Sequence, residues 1–320
     1  KGQWVAKPGR PLDADEKVML QARELLADNK PGQAIRVLDP WIEAHKASEN
    51  KNLPEAYLLR GDATTADGNE YQALYDYEAV IKGFPATEEY RRAVERELEI
   101  GIKYVFGLKR KWFGLRWSDA TDIGEELLVR TQERLPGDEL AERAGIELAD
   151  YYYRTRELRL ASEAYEIFLA NFPRSRYADR ARQRRIYANI ARFKGPNYDS
   201  SGLTDAKVLI EEYAAVDPIG AQRAGLSDAL VARLDESAAA QILEKANWYL
   251  KRGDPVGARS SLRRLIAKHP QTVAAKTGLQ MLNDRGWSLD ARPSPDVASP
   301  ASGPATPSAE PNPQSQEPKP

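Results

Sequence analysis

There is no cysteine anywhere in the 320 residues, which excludes disulfides, thiol nucleophiles and thiolate metal sites. That absence leaves the compartment open, since disulfide-free proteins occur in cytosol and periplasm alike. Histidine is almost missing too. His45 and His269 stand far apart, so a histidine-based metal site is not expected. No stretch approaches the roughly 20 consecutive apolar residues that a transmembrane helix needs. An excess of one charge is also lacking. With 47 basic and 48 acidic side chains the formal charge is −1, so no global basic field favours nucleic acid, and no nucleic-acid partner is expected. The chain contains no G-x-x-x-x-G-K-[ST], no G-x-G-x-x-G opening a helix and no H-E-x-x-H. No catalytic, cofactor-binding or metal-ligating residue is nominated, and the expectation is not an enzyme. The sequence starts at Lys1 rather than Met, as expected of a trimmed or mature form from which an export signal has been removed.

What is present is a repeated helical pattern. An apolar fraction of 42% is enough for a core, and a charged fraction of 30% suits many exposed helical faces. The clearest unit runs from Glu142 to Pro173. Counting Glu142 as position 1, small residues fall at 8 (Ala149) and 20 (Ala161), large ones at 11 (Tyr152), 24 (Tyr165) and 27 (Phe168), and a proline at 32 (Pro173). Small side chains let two helices approach closely, large ones plug into the next pair, and proline ends the second helix. The same offsets recur from Pro54 (Gly61, Ala73, Tyr77, Val80, Pro85) and from Ala239 (Ala246, Tyr249, Ala258, Leu262, Leu265, Pro270). A degenerate copy starts at Asp15 (Ala22, Leu25, Ala34, Leu38, Trp41), with Pro40 inside its second helix. Two more pairs read as interrupted. Helices over 88–106 and 118–135 are split by the insert 107–117, and helices over 177–193 and 203–216 by the turn-rich loop 194–202. Residues 225–238 extend the first helix of the last pair, and 271–284 form a cap helix.

The pattern predicts an all-α, tetratricopeptide-repeat superhelical solenoid of about five or six helical hairpins. An extended arm is expected over 1–12, an N-terminal half over 13–136 and a C-terminal half over 137–284. The last stretch, 285–320, is read as a disordered tail, because from Arg292 onward Pro, Ser and Ala dominate and large apolar residues nearly vanish.

Two regions are candidates for contact with partners. The first is the concave face made by the first helices, where an aromatic with flanking charges suits an extended peptide or a partner helix. Its candidates are Glu55, Asp62 and Thr65, then Arg143, Asp150, Tyr153 and Arg154 (with Ile146 in the same set), and Asn247 and Lys251. The second is the insert GLKRKWFGLRW, where Lys109, Arg110, Lys111 and Arg116 alternate with Trp112, Phe113 and Trp117. It reads as a contact with a lipid headgroup boundary or an acidic partner, as a single-strand stacking site, or as a loop folded back over a gap in the array. The arginines at 174, 176, 180, 182, 184 and 185 read as a solvated face paired with nearby acids, or a basic contact patch. Acid pairs such as Asp119/Asp122 and Glu125/Glu126 are material for acid–base chemistry in principle, but they read as surface acids.

Several runs resemble one family. FPRSRYADRAR (Phe172 to Arg182) resembles a repeat junction of the BamD-type outer-membrane assembly lipoproteins. DYYYRTRELRLASEAYEIFLANFP and NWYLKRGDPVGARSSLRRLIAKHP are similar to the middle and late repeats, with the aromatic turn Trp248 to Gly253. FKGPNYDSSGLTDAKVLIEEY and GLKRKWFG resemble a divergent, planctomycete-type branch. The resemblance implies a non-catalytic lipoprotein scaffold in the periplasm, anchored at the inner face of the outer membrane. Its partners would be the barrel-inserting channel protein, accessory lipoproteins or client peptides, with peripheral membrane association and no cofactor. The family's anchor is a lipidated N-terminal cysteine, which this sequence does not contain. Alternatives of the same class are a periplasmic coordinator of cell-wall and envelope processes, and a generic peptide-binding repeat module.

Overall fold

In the computed structural model, which describes residues 12–112 and 115–287, nearly every predicted hairpin is a pair of antiparallel helices. Residues 1–11 of the arm, Phe113 and Gly114, and residues 288–320 of the expected tail lie outside the described residues. The first pair is α1 (Ala14–Ala27) and α2 (Pro31–His45), and the second α3 (Leu53–Ala66) and α4 (Glu70–Gly83). The third is α5 (Glu88–Val105) and α6 (Thr121–Arg134), with strands β1 (Arg110–Trp112) and β2 (Leu115–Ser118) between them. Then come α7 (Glu139–Arg154) with α8 (Leu158–Asn171), and α9 (Ala178–Ala191) with α10 (Ser201–Val216). A short α11 (Pro218–Arg223) precedes the long α12 (Asp228–Lys251), which pairs with α13 (Pro255–Lys268), and α14 (Val273–Asp284) closes the described array.

Local chemistry explains the ends. Asp13 and Glu16 form a reciprocal capping box on α1, each side chain accepting from the other's backbone N–H at 2.7 and 3.0 Å. Pro31, Pro54, Pro218 and Pro255 sit in first helical turns, where their missing N–H costs nothing. The turns inside the α3–α4 and α12–α13 pairs pass through a left-handed residue, Gly68 (φ 81°) and Gly253 (φ 73°), which glycine adopts freely. The α7–α8 turn places Arg156 there instead, at φ 66°.

Side chains at the small positions are sealed. Ala22, Ala34, Ala73, Ala149, Ala161, Ala246 and Ala258 are all 0% exposed, as are Leu38, Tyr77, Tyr165 and Leu262 at position 24. A Cβ on Gly61 would lie 2.6 Å from the buried Tyr77 ring. In the interrupted third pair Gly101 faces Gly124, whose Cβ would meet the Gly101 carbonyl at 2.8 Å. The apolar residues form a string of clusters, each shared by neighbouring helices, as a solenoid requires.

Three expectations need correction. Residues 107–117 form no simple loop: β1 and β2 pair antiparallel, with Lys111 opposite Arg116 and Trp112 opposite Leu115. After α10 the chain makes the extra helix α11, whose N-cap Asp217 accepts from Gly220 N–H at 2.8 Å. Ile146 is 1% exposed and packs with Ala149, Ala161 and Tyr165, so it is core and not partner-facing surface.

A buried charge network crosses the second and third pairs. Arg134 bonds Glu97, which is 1% exposed, and also Glu78 at 2.5 Å, and Arg130 joins Glu78 at 3.0 Å. Burial pushes the Glu97 carboxyl up to about 7 despite Arg134. The raised value means that Glu97 favours folding below its ordinary range and that this contribution is lost as pH rises from about 4.5 to 7. Between pH 4.5 and 8 the protein should lose roughly 3 kcal/mol relative to Glu97→Gln. Urea unfolding of both proteins across that range checks this, and parallel pH profiles would refute it. Gly61→Ala should cost roughly 1–3 kcal/mol through crowding of Tyr77, although alanine normally gains about 1 kcal/mol over glycine in a helix. Gly32→Ala, with nothing within 4 Å, should be neutral or mildly stabilising in the same measurement.

Candidate functional site

The candidates from the first helices divide sharply. Asp62 and Asp150 both occupy position 9 of their repeats, and both are locked inside the array. Tyr77, on the paired helix α4, donates its hydroxyl to Asp62 at 3.0 Å, and Arg96 from the next pair donates its Nε at 2.8 Å. Tyr165, on α8, donates to Asp150 at 2.5 Å, and Arg184 and Arg180 from the next pair meet the same carboxylate at 2.5 and 3.0 Å. Burial first, and the carboxylates beside them, push both phenols up, so they stay protonated donors. Thr65 Oγ lies 3.1 Å from the Tyr77 hydroxyl. Glu55 accepts from Arg23 Nε of α1 at 2.7 Å. Tyr153 packs edge-on against Tyr165, centroids 6.3 Å apart, with the Arg184 guanidinium 5.6 Å from its ring centroid. Arg154 donates to the Val105 carbonyl at 2.8 Å and covers the Phe106 ring at 4.2 Å. These residues join one repeat to the next.

Arg143 behaves differently. It is exposed and lines a cleft of about 980 Å³ between α5, α7 and the α8–α9 connection. Leu140 and Phe172 supply apolar wall, and Tyr177 stands between the Arg176 and Arg180 guanidinium groups at 4.7 and 4.9 Å. Arg91 is held by Asp138 at 3.1 Å, and Ser175 donates to Glu142 at 2.5 Å. Glu147, half-buried, has no hydrogen-bond partner among the described residues. Burial, then the Asp150 charge, push its carboxyl up, against the pull of Arg143 and Arg180. A half-buried acid beside exposed Arg143 and Arg174 suits an extended segment carrying both charges. The reading of the first-helix face omitted Glu147, because position 6 carried no expectation of facing outward. Asn247, half-buried, and Lys251, exposed, lie on α12 outside this cleft. A second cavity of about 680 Å³, between α10, α12 and α13, has its one inner carboxylate, Asp235, shared by Lys207 at 3.2 Å and His269 at 3.1 Å.

The insert is folded back and pinned. Arg116 meets Glu70, which is 7% exposed, through both carboxylate oxygens at 2.8 and 2.9 Å, and donates to the Gly68 and Lys109 carbonyls at 3.0 and 2.9 Å. Arg110 lies 3.5 Å over the Tyr71 ring, and Lys111 reaches the Asp67 carbonyl at 3.4 Å. Lys109 is exposed, and so is Trp117. Trp112 sits at the tip end of β1.

Most of the arginine run is paired. Arg182 meets Asp179 at 2.9 Å and Arg185 meets Glu166 at 2.6 Å, while Arg174 lines the cleft. Three of the four acids at 119–126 are engaged structurally, and Asp122 is exposed. Asp119 accepts from the Thr121 hydroxyl at 2.7 Å and N–H at 3.1 Å, bonds that hold its carboxyl below the ordinary range. Glu125 accepts from Tyr152 at 2.8 Å, and Glu126 pairs with Arg130 at 2.5 Å. No helix of the described residues is long and apolar enough to cross a membrane.

Stacked helical hairpins, a mixed-charge cleft and acids committed to structure define a tetratricopeptide-repeat scaffold for binding proteins. The family model described as outer membrane lipoprotein (YfiO, the BamD family) matches residues 116–290, and the chain belongs to that family. Among solved structures, the chain is similar to the C-terminal part of a TPR repeat-containing protein from Cytophaga hutchinsonii, at 15% identity and a TM-score of 0.40, over 84% of this chain and 89% of that one. It is similar to PilW, a type IV pilus biogenesis factor, at 13% identity and a TM-score of 0.31, over 84% of this chain and 99% of that one. It is also similar to a MamA double mutant (RS-1 ArsTM) at 18% identity and a TM-score of 0.35, over 64% and 98%. No curated protein matches the chain.

Arg116→Met strands the nearly buried Glu70 carboxylate. This should cost roughly 1–3 kcal/mol and speed amide exchange in β1 and β2. Adding Glu70→Gln should recover part of the loss, and exchange unchanged in the single variant would refute the pin.

Proposed function

We propose that the chain scaffolds outer-membrane β-barrel assembly from the periplasmic side, anchored at the inner face of the outer membrane. The cleft around Arg143 and Glu147 takes an extended segment of a partner or client in this reading. Membership of the outer-membrane lipoprotein family carries it. The matched span, 116–290, includes the α7 and α8–α9 walls of the cleft, which supports placing the partner there. Binding requires no chemistry from the protein. It needs rigid walls, and the Asp150–Tyr165–Arg184 lock beside the cleft supplies one. Proposed partners are the periplasmic domains of the barrel-inserting channel protein and accessory lipoproteins.

The test is a titration of those channel domains against the protein and against Arg143→Ser/Glu147→Gln. Affinity should fall about tenfold or more, equivalent to at least 1.4 kcal/mol, while the melting temperature holds. Equal affinity for both proteins would remove the cleft from the reading. No binding to the intact protein would remove the barrel-assembly role.

A further inference from the structure

Successive side chains of a strand point to opposite faces, so Leu115 and Trp117 share one face of β2 while Arg116 takes the other. Arg116 is turned onto Glu70 and the α3–α4 turn. Leu115 and Trp117 are 71% and 59% exposed. A tryptophan recruited to cover a gap in the array would be sealed, as Trp41 is at 8%. The hairpin thus holds an apolar pair outward by means of a charged pair turned inward.

Charge selects the occupant. Between Gly107 and Ser118 there are four cations and no acid. Glu70 neutralises Arg116, and Lys111, opposite Arg116, is turned with it onto the Asp67 carbonyl, whereas Lys109 is exposed and keeps its charge for an outside partner. An aromatic and an aliphatic side chain beside an exposed lysine match the boundary between anionic headgroups and acyl chains. The chain's family is one of outer membrane lipoproteins, so a membrane surface is within its reach. The pin to Glu70 holds the element in shape before contact, which lowers the ordering cost of docking.

We propose that the β1–β2 hairpin is a non-covalent membrane contact, with Leu115 and Trp117 entering the headgroup boundary of an anionic phospholipid surface and Lys109 meeting its phosphates. The inference rests on the envelope placement of the chain and not on the barrel-assembly role.

The experiment is co-sedimentation of the 320-residue chain with vesicles of phosphatidylethanolamine containing roughly a quarter phosphatidylglycerol, with phosphatidylcholine vesicles as the neutral comparison. The intact protein should bind the anionic vesicles more tightly and lose affinity as salt is raised. Leu115→Ser/Trp117→Ser should weaken binding at least tenfold, and Leu115→Ser alone severalfold, the single change guarding against loss of the hairpin itself. Ile219→Ser/Val256→Ser, which removes side chains 60% and 74% exposed elsewhere, should bind like the intact protein. No vesicle binding, equal binding by the Leu115 and Trp117 variants, or equal affinity for neutral lipid would overturn the proposal. Loss of channel-domain binding in those variants with vesicle binding intact would also overturn it, making the hairpin a protein-docking surface. Arg143→Ser/Glu147→Gln should leave vesicle binding unchanged, so failure of the cleft reading and failure of this one are distinguishable.

Discussion

Two helices can lie side by side this closely only where a side chain is missing or reduced to a methyl group. Gly61 against Tyr77 and Gly101 against Gly124 leave no room for a Cβ, and the alanines at the equivalent positions have no exposed surface. Everything larger in the array is placed by that approach. It brings the residue at position 24 of the second helix over position 9 of the first, which is why a tyrosine at one meets an aspartate at the other twice. The same carboxylate then faces the first helix of the next pair, where an arginine closes the contact. Backbone proximity, a buried phenol and an inter-repeat ion pair are therefore one device. It carries specificity in register as well as adhesion, because a buried acid left without partners costs more than the pair contributes.

That device also explains which parts of the molecule were legible in the sequence. The spacing of Ala149, Ala161, Tyr165 and Phe168 fixes helix pairing, since each is decided by local periodicity and size. The helix pairs, the α14 cap and the interruption of the third pair follow from it. Position 9 was legible only as polar and inward. Whether an aspartate there is offered to a ligand or consumed by a neighbour depends on Tyr77, 15 residues away in the same repeat, and on Arg96, 34 residues away in the next pair, which no single-repeat pattern contains. Glu97 and Arg134, 37 residues apart, were invisible for the same reason. The hairpin was legible as an oddity of composition but not as strands, because three and four residues are too few to show a period. Glu70, the residue that holds the insert, carries no signal at all: it is the first residue of a helix, where an acid is ordinary.

The division of charge between internal and external duty is what gives the array its binding character. Asp62, Asp76, Glu78, Glu97 and Asp150 all face arginines within the fold. Asp119, Glu125 and Glu126 are likewise tied to Thr121, Tyr152 and Arg130. Two places stand out among the described residues, the Arg143–Glu147 cleft and the exposed outer face of β2. Both are positioned by committed neighbours. Groups held in place before contact lower the ordering cost of recognition.

Both places also lie across the edge of the family match. The family match runs from Arg116 to residue 290, so it includes all of β2 but Leu115, and the helices α6 to α14, but not β1 or the first five helices. The cleft borrows Arg91 and Glu95 from α5, ahead of that boundary, and its remaining walls from the matched part. The hairpin straddles the boundary, with the pin running from matched Arg116 back to unmatched Glu70. Both surfaces therefore join matched to unmatched helices, the cleft through α5 and the hairpin through a bond that needs the α3–α4 turn. Each is completed by residues far apart in the chain, so neither is carried by a single repeat.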